Sequence, residues 1–232
     1  SAQTPGALSA LAGRYREFLE AHPQVDLGAV CYSAGTGRSH FSRRLAVVAA
    51  DFGVISLEEA AKLTDGLLSA EVPVTLNRLI FDYDQVIICG PVFPHEVAGF
   101  SGGAKYLFPG IAGAGIINFT HWLGALVTSM NTIGVADTPV RRVIHRAAQF
   151  VDRPVLLIAM VVKGDGLHGV FVGPHEETWR AAADLSARLN ILLTPRAYTQ
   201  VLSMPSLIYD DLWTAAKAMY KTEPAIADCA MM

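Results

Sequence analysis

The pattern of apolar and polar positions predicts alternating helices and strands. Residues 4–21 place Leu8, Leu11, Tyr15, Phe18 and Leu19 at helical spacing, and His22-Pro23 ends that helix. Val25–Tyr32 reads as a strand, Ser33–Ser39 as a turn, and Leu45–Ala50 as a second short strand. Ser56 followed three residues later by Glu59 has the form of a capping box and opens a helix. Pro73–Phe81 is expected to be helical, with Pro73 in its first turn. Gln85–Gly90 is a continuous apolar, β-branched run and reads as a buried parallel strand, with Cys89 as inert packing inside it.

Residues 91–115 hold six glycines and three prolines, too many breakers for regular structure throughout. Helices are expected over Ile116–Met130 and Pro139–Val151, and a second buried strand over Val155–Val162. Gly164–Gly173 reads as a turn and a return strand, and Pro174–Leu192 as a helix with Glu176 and Glu177 in its first turn. Ala197–Leu202 suggests a short strand, and Asp210–Lys221 a helix capped by Asp210 or Asp211 and closed by Pro224. The class is α/β, a mostly parallel sheet with flanking helices. A linker near Thr194–Ala197 divides the chain into a cofactor-binding α/β domain, residues 1–195, and the start of a second, incomplete domain, residues 196–232.

Composition narrows the function classes. With 232 residues, 52% hydrophobic and 17% charged, the chain has the make-up of a folded core rather than of a disordered segment. A net charge of −3 leaves no basic surplus for a phosphate backbone, so nucleic acid is not an expected partner. Mean hydropathy is +0.35, yet the apolar runs are far below the roughly 20 residues a spanning helix needs, so no membrane contact is expected. Three scattered cysteines offer neither a disulfide framework nor a metal clip, and no signal-peptide layout opens the chain, which points to the cytoplasm.

The densest chemistry lies in residues 94–113. His95 follows a proline at the end of a predicted strand, where open α/β sheets place ligands. Ser101-Gly102-Gly103 lets backbone N–H groups approach a ligand, and Lys105 follows as a phosphate partner or a nucleophile. His121 lies in the next helix. On residue types alone, His95 is equally a loop histidine bonded to backbone, Lys105 a solvated lysine and His121 a packing residue. His145, His168 and His175 read as structural or surface residues, and Pro139-Val140-Arg141-Arg142 as a helix start rather than an anion site.

The motif itself resembles the lactate racemase family, whose pattern runs His, then AGFSGG, one variable position, Lys, then PGI. Here it stands as His95, Ala98-Gly99-Phe100-Ser101-Gly102-Gly103, Ala104, Lys105 and Pro109-Gly110-Ile111, with His121 at the family's spacing. Ala104 departs from the arginine or asparagine common there. The similarity runs from about Ser56 to Asp228. Near its end, Trp213, Thr214 and Lys217 resemble the family's Tyr-Gln-x-x-Lys helix, with the first pair replaced. Residues 1–44 lack the family's Asp-x-x-Arg-Pro phosphate motif, and Gly35–His40 does not reproduce its second histidine stretch. The chain therefore reads as the central part of a longer protein.

The resemblance implies a 2-hydroxyacid racemase or epimerase that removes hydride from the substrate carbon to a nickel-pincer nucleotide. It implies Lys105 as the covalent tether and His121 as the nickel ligand. His95 would be one of two acid/base histidines, and Lys217 a partner of anionic groups. Ser101, Gly102 and Gly103 would line the cofactor. Cofactor-making proteins and a small 2-hydroxy acid are the implied partners. Three readings remain beside it: a binding homologue without turnover, a nickel-independent enzyme with a Schiff-base or phosphate-binding lysine, and a fragment that does not fold alone. The oligomeric state is not legible.

Overall fold

The computed structural model describes residues 5–26, 50–205 and 212–231. The expected strands and turn between Val25 and Ala50 lie outside these residues except at their ends, as do the caps proposed at Asp210 and Asp211. The chain divides into two compact units, Ser1–Val47 and Val48–Met232. In the first, helix α1 (Pro5–Ala21) follows the predicted spacing. It ends where the ring of His22 bonds back to the Phe18 carbonyl (2.8 Å), just before Pro23.

The second unit opens with β1 (Ala50–Ile55), α2 (Leu57–Leu63) and β2 (Val72–Leu76), with β1 and β2 paired antiparallel. Ser56 caps α2 by accepting the Glu59 N–H at 3.2 Å. The helix expected at Pro73–Phe81 is instead strand β2 followed by a 3-10 turn, Arg78–Asp82. Val72, Val74 and Leu76 are buried while Pro73 is exposed, a period of two that the proline had masked. Asn77 sets the break by accepting the Leu79 N–H at 3.0 Å.

The central sheet has three strands in the order β3 (Val86–Pro91), β6 (Val155–Lys163), β7 (Gly166–Pro174). The β3–β6 pairing is parallel, as the apolar runs predicted. The return strand β7 pairs antiparallel with β6, so the sheet is mixed and the class is α/β. Helix α6 (His175–Asn190) covers one face and buries Trp179, Ala182, Ala183 and Ser186. The other face stays open, with Ile87 and Val172 each 62% exposed. Cys89 lies on that open side and is exposed, which corrects its expected role as core packing.

Between β3 and β6 the chain builds two two-residue strands, β4 (Pro94–His95) and β5 (Gly99–Phe100). A 3-10 turn (Gly103–Tyr106) and helices α3 (Ala114–Val127), α4 (Ser129–Thr132) and α5 (Pro139–Ala148) follow. The single helix expected over Ile116–Met130 breaks at Thr128, which adopts φ 70°. Thr138 caps α5 by accepting the Arg141 N–H (3.1 Å), with Pro139 in the first turn. Beyond α6 come β8 (Tyr198–Gln200), α7 (Leu212–Ala215), α8 (Lys217–Thr222) and β9 (Ile226–Met231), with β8 and β9 parallel. No helix among the described residues is long and apolar enough to cross a membrane.

Candidate functional site

The loop after β3 is held from below by the protein's own polar groups. Ser101 Oγ accepts the Phe93 N–H (2.9 Å), and the Ser101 carbonyl accepts the Trp179 indole N–H (2.8 Å). The buried Arg141 guanidinium donates to the Gly102 carbonyl (3.3 Å) and to the Phe100 carbonyl. Gly102 and Gly103 both have positive φ, +77° and +61°, and a Cβ on Gly103 would sit 2.8 Å from the Trp179 ring. The glycine pair thus serves the turn and its packing on Trp179.

Above this loop lies a cavity of about 620 Å³, within the size range of ligand pockets. His95, Lys105, His121 and Lys217 all line it, joined by Glu96 and Glu223. The structure therefore brings together four of the seven residues singled out from sequence. Ser101, Gly102 and Gly103 are not among its lining residues. Helix α8 supplies Lys217, and the turn after it supplies Glu223, whose carboxylate accepts the Ser129 hydroxyl of α4.

His95 ends β4 and Glu96 opens the tight turn to β5. The Val97 and Ala98 N–H groups point at His95 Nδ1, at 3.0 and 3.4 Å. A ring that accepts there carries its proton on Nε2. Burial, with the Lys105 charge next in importance, lowers the His95 pKa to about 3, so the ring is neutral at physiological pH. The 3.8 Å approach of Glu96 to Nδ1 is therefore a contact with a neutral ring rather than an ion pair. Glu96 instead meets Lys217 at 3.4 Å. Burial pushes the Glu96 carboxyl up, but its own backbone N–H and the charges of Lys217 and Lys221 hold it below its ordinary value, joined by the His95 ring only where that ring is protonated.

Lys105 is half-buried, and burial together with the charges of Arg141 and Lys217 lowers its pKa. That enlarges the fraction of free amine available as a nucleophile. His121 is exposed on α3, with Nδ1 2.7 Å from the Ile117 carbonyl one turn back. Donation there leaves Nε2 as a lone pair, the tautomer a metal-binding histidine requires. Among the described residues no three His, Cys, Asp or Glu side chains converge. A metal at His121 would take its remaining donors from a bound organic group, which the cavity has room to hold.

Residues 54–134 match the lactate racemase N-terminal domain. A lactate racemase from Thermoanaerobacterium thermosaccharolyticum is 24% identical over 165 residues, 70% of this chain and 39% of that protein. In fold, the chain aligns with a structural-genomics protein of Thermotoga maritima at TM-score 0.72 and 26% identity, over 84% of this chain and 52% of the other. The apoprotein structure of the Thermoanaerobacterium lactate racemase aligns at TM-score 0.52 and 20% identity, over 69% of this chain and 38% of that one. The chain thus spans about two-fifths of the length of the curated racemase it matches.

The poor match of residues 1–44 has a counterpart in the comparisons. Residues 1–55 match a different family, CurL-like, PKS C-terminal. The change of family lies close to the boundary between the two compact units at Val47 and Val48.

Two participants in the candidate site were not read from the sequence. Glu96 was visible as the neighbour of His95, but its pairing with Lys217 joins parts of the chain that no local pattern connects. Arg141 lies in an amphipathic helix where arginine ordinarily reads as solvent-facing, yet it is 1% exposed.

Proposed function

We propose that this domain holds a nickel-pincer nucleotide and uses it to invert a small 2-hydroxy acid. The supporting observation is the convergence of His95, Lys105, His121 and Lys217 on one cavity, in the register of the lactate racemase motif. Proton abstraction from the substrate carbon is unfavourable beside a carboxylate, and when bound such a group supplies a hydride acceptor. Lys105 would hold it through its amine, and His121 Nε2 would meet its metal. Lys217 would orient an anionic substrate or cofactor group, poised against Glu96. His95 would meet the substrate hydroxyl from the turn between β4 and β5. Loading would depend on cofactor-making partner proteins, in the cytoplasm.

One observation favours a second reading, in which the domain binds the group without turnover. His95 Nδ1 already accepts two backbone N–H groups, so the neutral ring offers an N–H to the cavity rather than the lone pair a general base needs. Among the described residues, the only other histidine lining the cavity is His121.

Co-expression with cofactor-making proteins separates the readings. Intact mass, the mass of the Lys105 peptide and nickel content are measured together, then interconversion of D- and L-2-hydroxy acids. An adduct on Lys105 with near-stoichiometric nickel and turnover supports the racemase. Loading without turnover supports the binding homologue. Neither adduct nor nickel rejects both. His121→Ala should lose nickel while keeping the Lys105 adduct, and His95→Ala should keep both and lose turnover.

A further inference from the structure

A second cavity, of about 230 Å³, opens on a different face of α5 and shares no lining residue with the first. It is too small for a nucleotide and large enough for one phosphate group. Four guanidinium groups line it, those of Arg141, Arg142, Arg146 and Arg180. Two of these are matched. Arg142 meets Asp65 (2.9 Å) and Asp137 (3.0 Å), and Arg146 meets Glu59. Arg180 has no carboxylate at ion-pair distance among the described residues.

Arg141 is the unusual member. It is 1% exposed and has no carboxylate partner among the described residues. Its two terminal nitrogens are taken by the Gly102 and Phe100 carbonyls, and its guanidinium lies 4.1 Å from the centre of the Trp179 ring. Its Nε–H, however, has no hydrogen-bond partner. A buried, unpaired guanidinium with an unused donor is costly.

The second unpartnered atom is Nε2 of His145, one turn along the same helix. His145 Nδ1 faces Glu176 at 3.4 Å, so Nδ1 carries the proton and Nε2 is a lone pair. The cavity thus combines an unmatched cation and an unused N–H donor with an unused acceptor. A carboxylate or a sulfate could satisfy the donor alone. A hydrogen phosphate, or a singly protonated phosphate monoester, carries both P–O⁻ and P–OH and satisfies both.

We propose that this cavity is a phosphate site in which Arg141 and Arg180 bind the anionic oxygens and His145 Nε2 accepts the P–OH. Pro139-Val140-Arg141-Arg142 is then a helix start and part of an anion site at once. Occupancy reaches the Lys105 loop through Arg141, because the same guanidinium holds the Phe100 and Gly102 carbonyls. The site stands apart from the racemase reading and does not depend on it.

The test is a titration of the full chain with inorganic phosphate, and in parallel with sulfate at matched ionic strength. The readout is the indole N–H resonance of Trp179, which contacts both Arg141 and His145. Phosphate should give a saturable shift and sulfate none. Arg180→Gln, at an exposed position, should weaken phosphate binding about tenfold, the effect of one lost charge-assisted contact. Lys217→Gln, in the first cavity, should leave the titration unchanged. The proposal is overturned if no saturable shift occurs, if sulfate matches phosphate, or if Lys217→Gln rather than Arg180→Gln abolishes the response.

Discussion

Lys217 Nζ stands 3.4 Å from Glu96 Oε1, which ties helix α8 to the turn that carries His95. The side chain of Glu96 is only 9% exposed, so its carboxylate needs this partner. Lys217 in turn needs Glu96 to be held over the cavity rather than in solvent. The pair sets both the charge beside His95 and the closure of the site by the C-terminal helix.

Glu96→Gln should therefore destabilise the second unit by about 1–3 kcal/mol at pH 7, the range for a lost charge-assisted bond at a buried group. The Glu96 carboxyl is held low in the folded state, so its contribution is fully present above its unfolded value and fades as pH falls through the folded one. The gap between wild type and variant should begin to close below the ordinary value of 4.5. Denaturant titrations at neutral and acidic pH check this. A gap of the same size at both would remove the carboxylate from the account.

Lys105 should be the fastest-reacting lysine lining the first cavity. Burial and the charges of Arg141 and Lys217 lower its pKa, while Glu96 raises it. Lys217→Gln removes a repelling cation, so the Lys105 pKa rises and labelling by an amine-reactive reagent at neutral pH slows. Glu96→Gln acts in the opposite direction and speeds labelling. Peptide mass spectrometry over a time course reads both rates. Two variants that change the rate in the same direction would contradict the electrostatic origin.

The sequence made the α/β class, the parallel β3–β6 pair and the meeting of His95, Lys105 and His121 legible. The first two follow from apolar runs, and the third from the resemblance to the lactate racemase motif. It misled at Pro73, because a proline ahead of an apolar run looks like the first turn of a helix, while the alternation of Val72, Val74 and Leu76 carries a strand. It also misled at Cys89, because an apolar run does not reveal that one face of the sheet is open. The glycine loop drew attention as a ligand cradle, yet in the fold its carbonyls face Arg141 and Trp179. Those partners lie in α5 and α6, far along the chain, and no local pattern points to them.

Gly103→Ala tests that packing role. The residue sits at φ +61°, and an added Cβ would meet the Trp179 ring at 2.8 Å, with the ring itself fully buried. Strain and overpacking together should cost about 1–3 kcal/mol. Trp179→Phe removes the N–H that bonds the Ser101 carbonyl and should relieve part of the clash. The double variant should then be less destabilised than the sum of the two single changes. Additive effects, measured by chemical denaturation, would separate the glycine from the tryptophan.

His145 should set part of the acid sensitivity of the fold. Burial lowers its pKa to about 3, followed by the charges of Arg141, His175 and Arg180, with Asp137 opposing them. A histidine ordinarily titrates near 6.5, so in this window the unfolded chain binds a proton that the folded chain does not. Stability must then fall as pH drops from 6.5 towards 3, by up to about 1.4 kcal/mol per pH unit from this group. His145→Gln keeps a polar group on α5 and cannot take up the proton. Its stability should decline less steeply over that interval, whatever its absolute value at pH 7. Parallel profiles for wild type and variant would mean that His145 is free to protonate in the folded protein. The wall of the second cavity would then be less dry than its buried, unpartnered Nε2 requires.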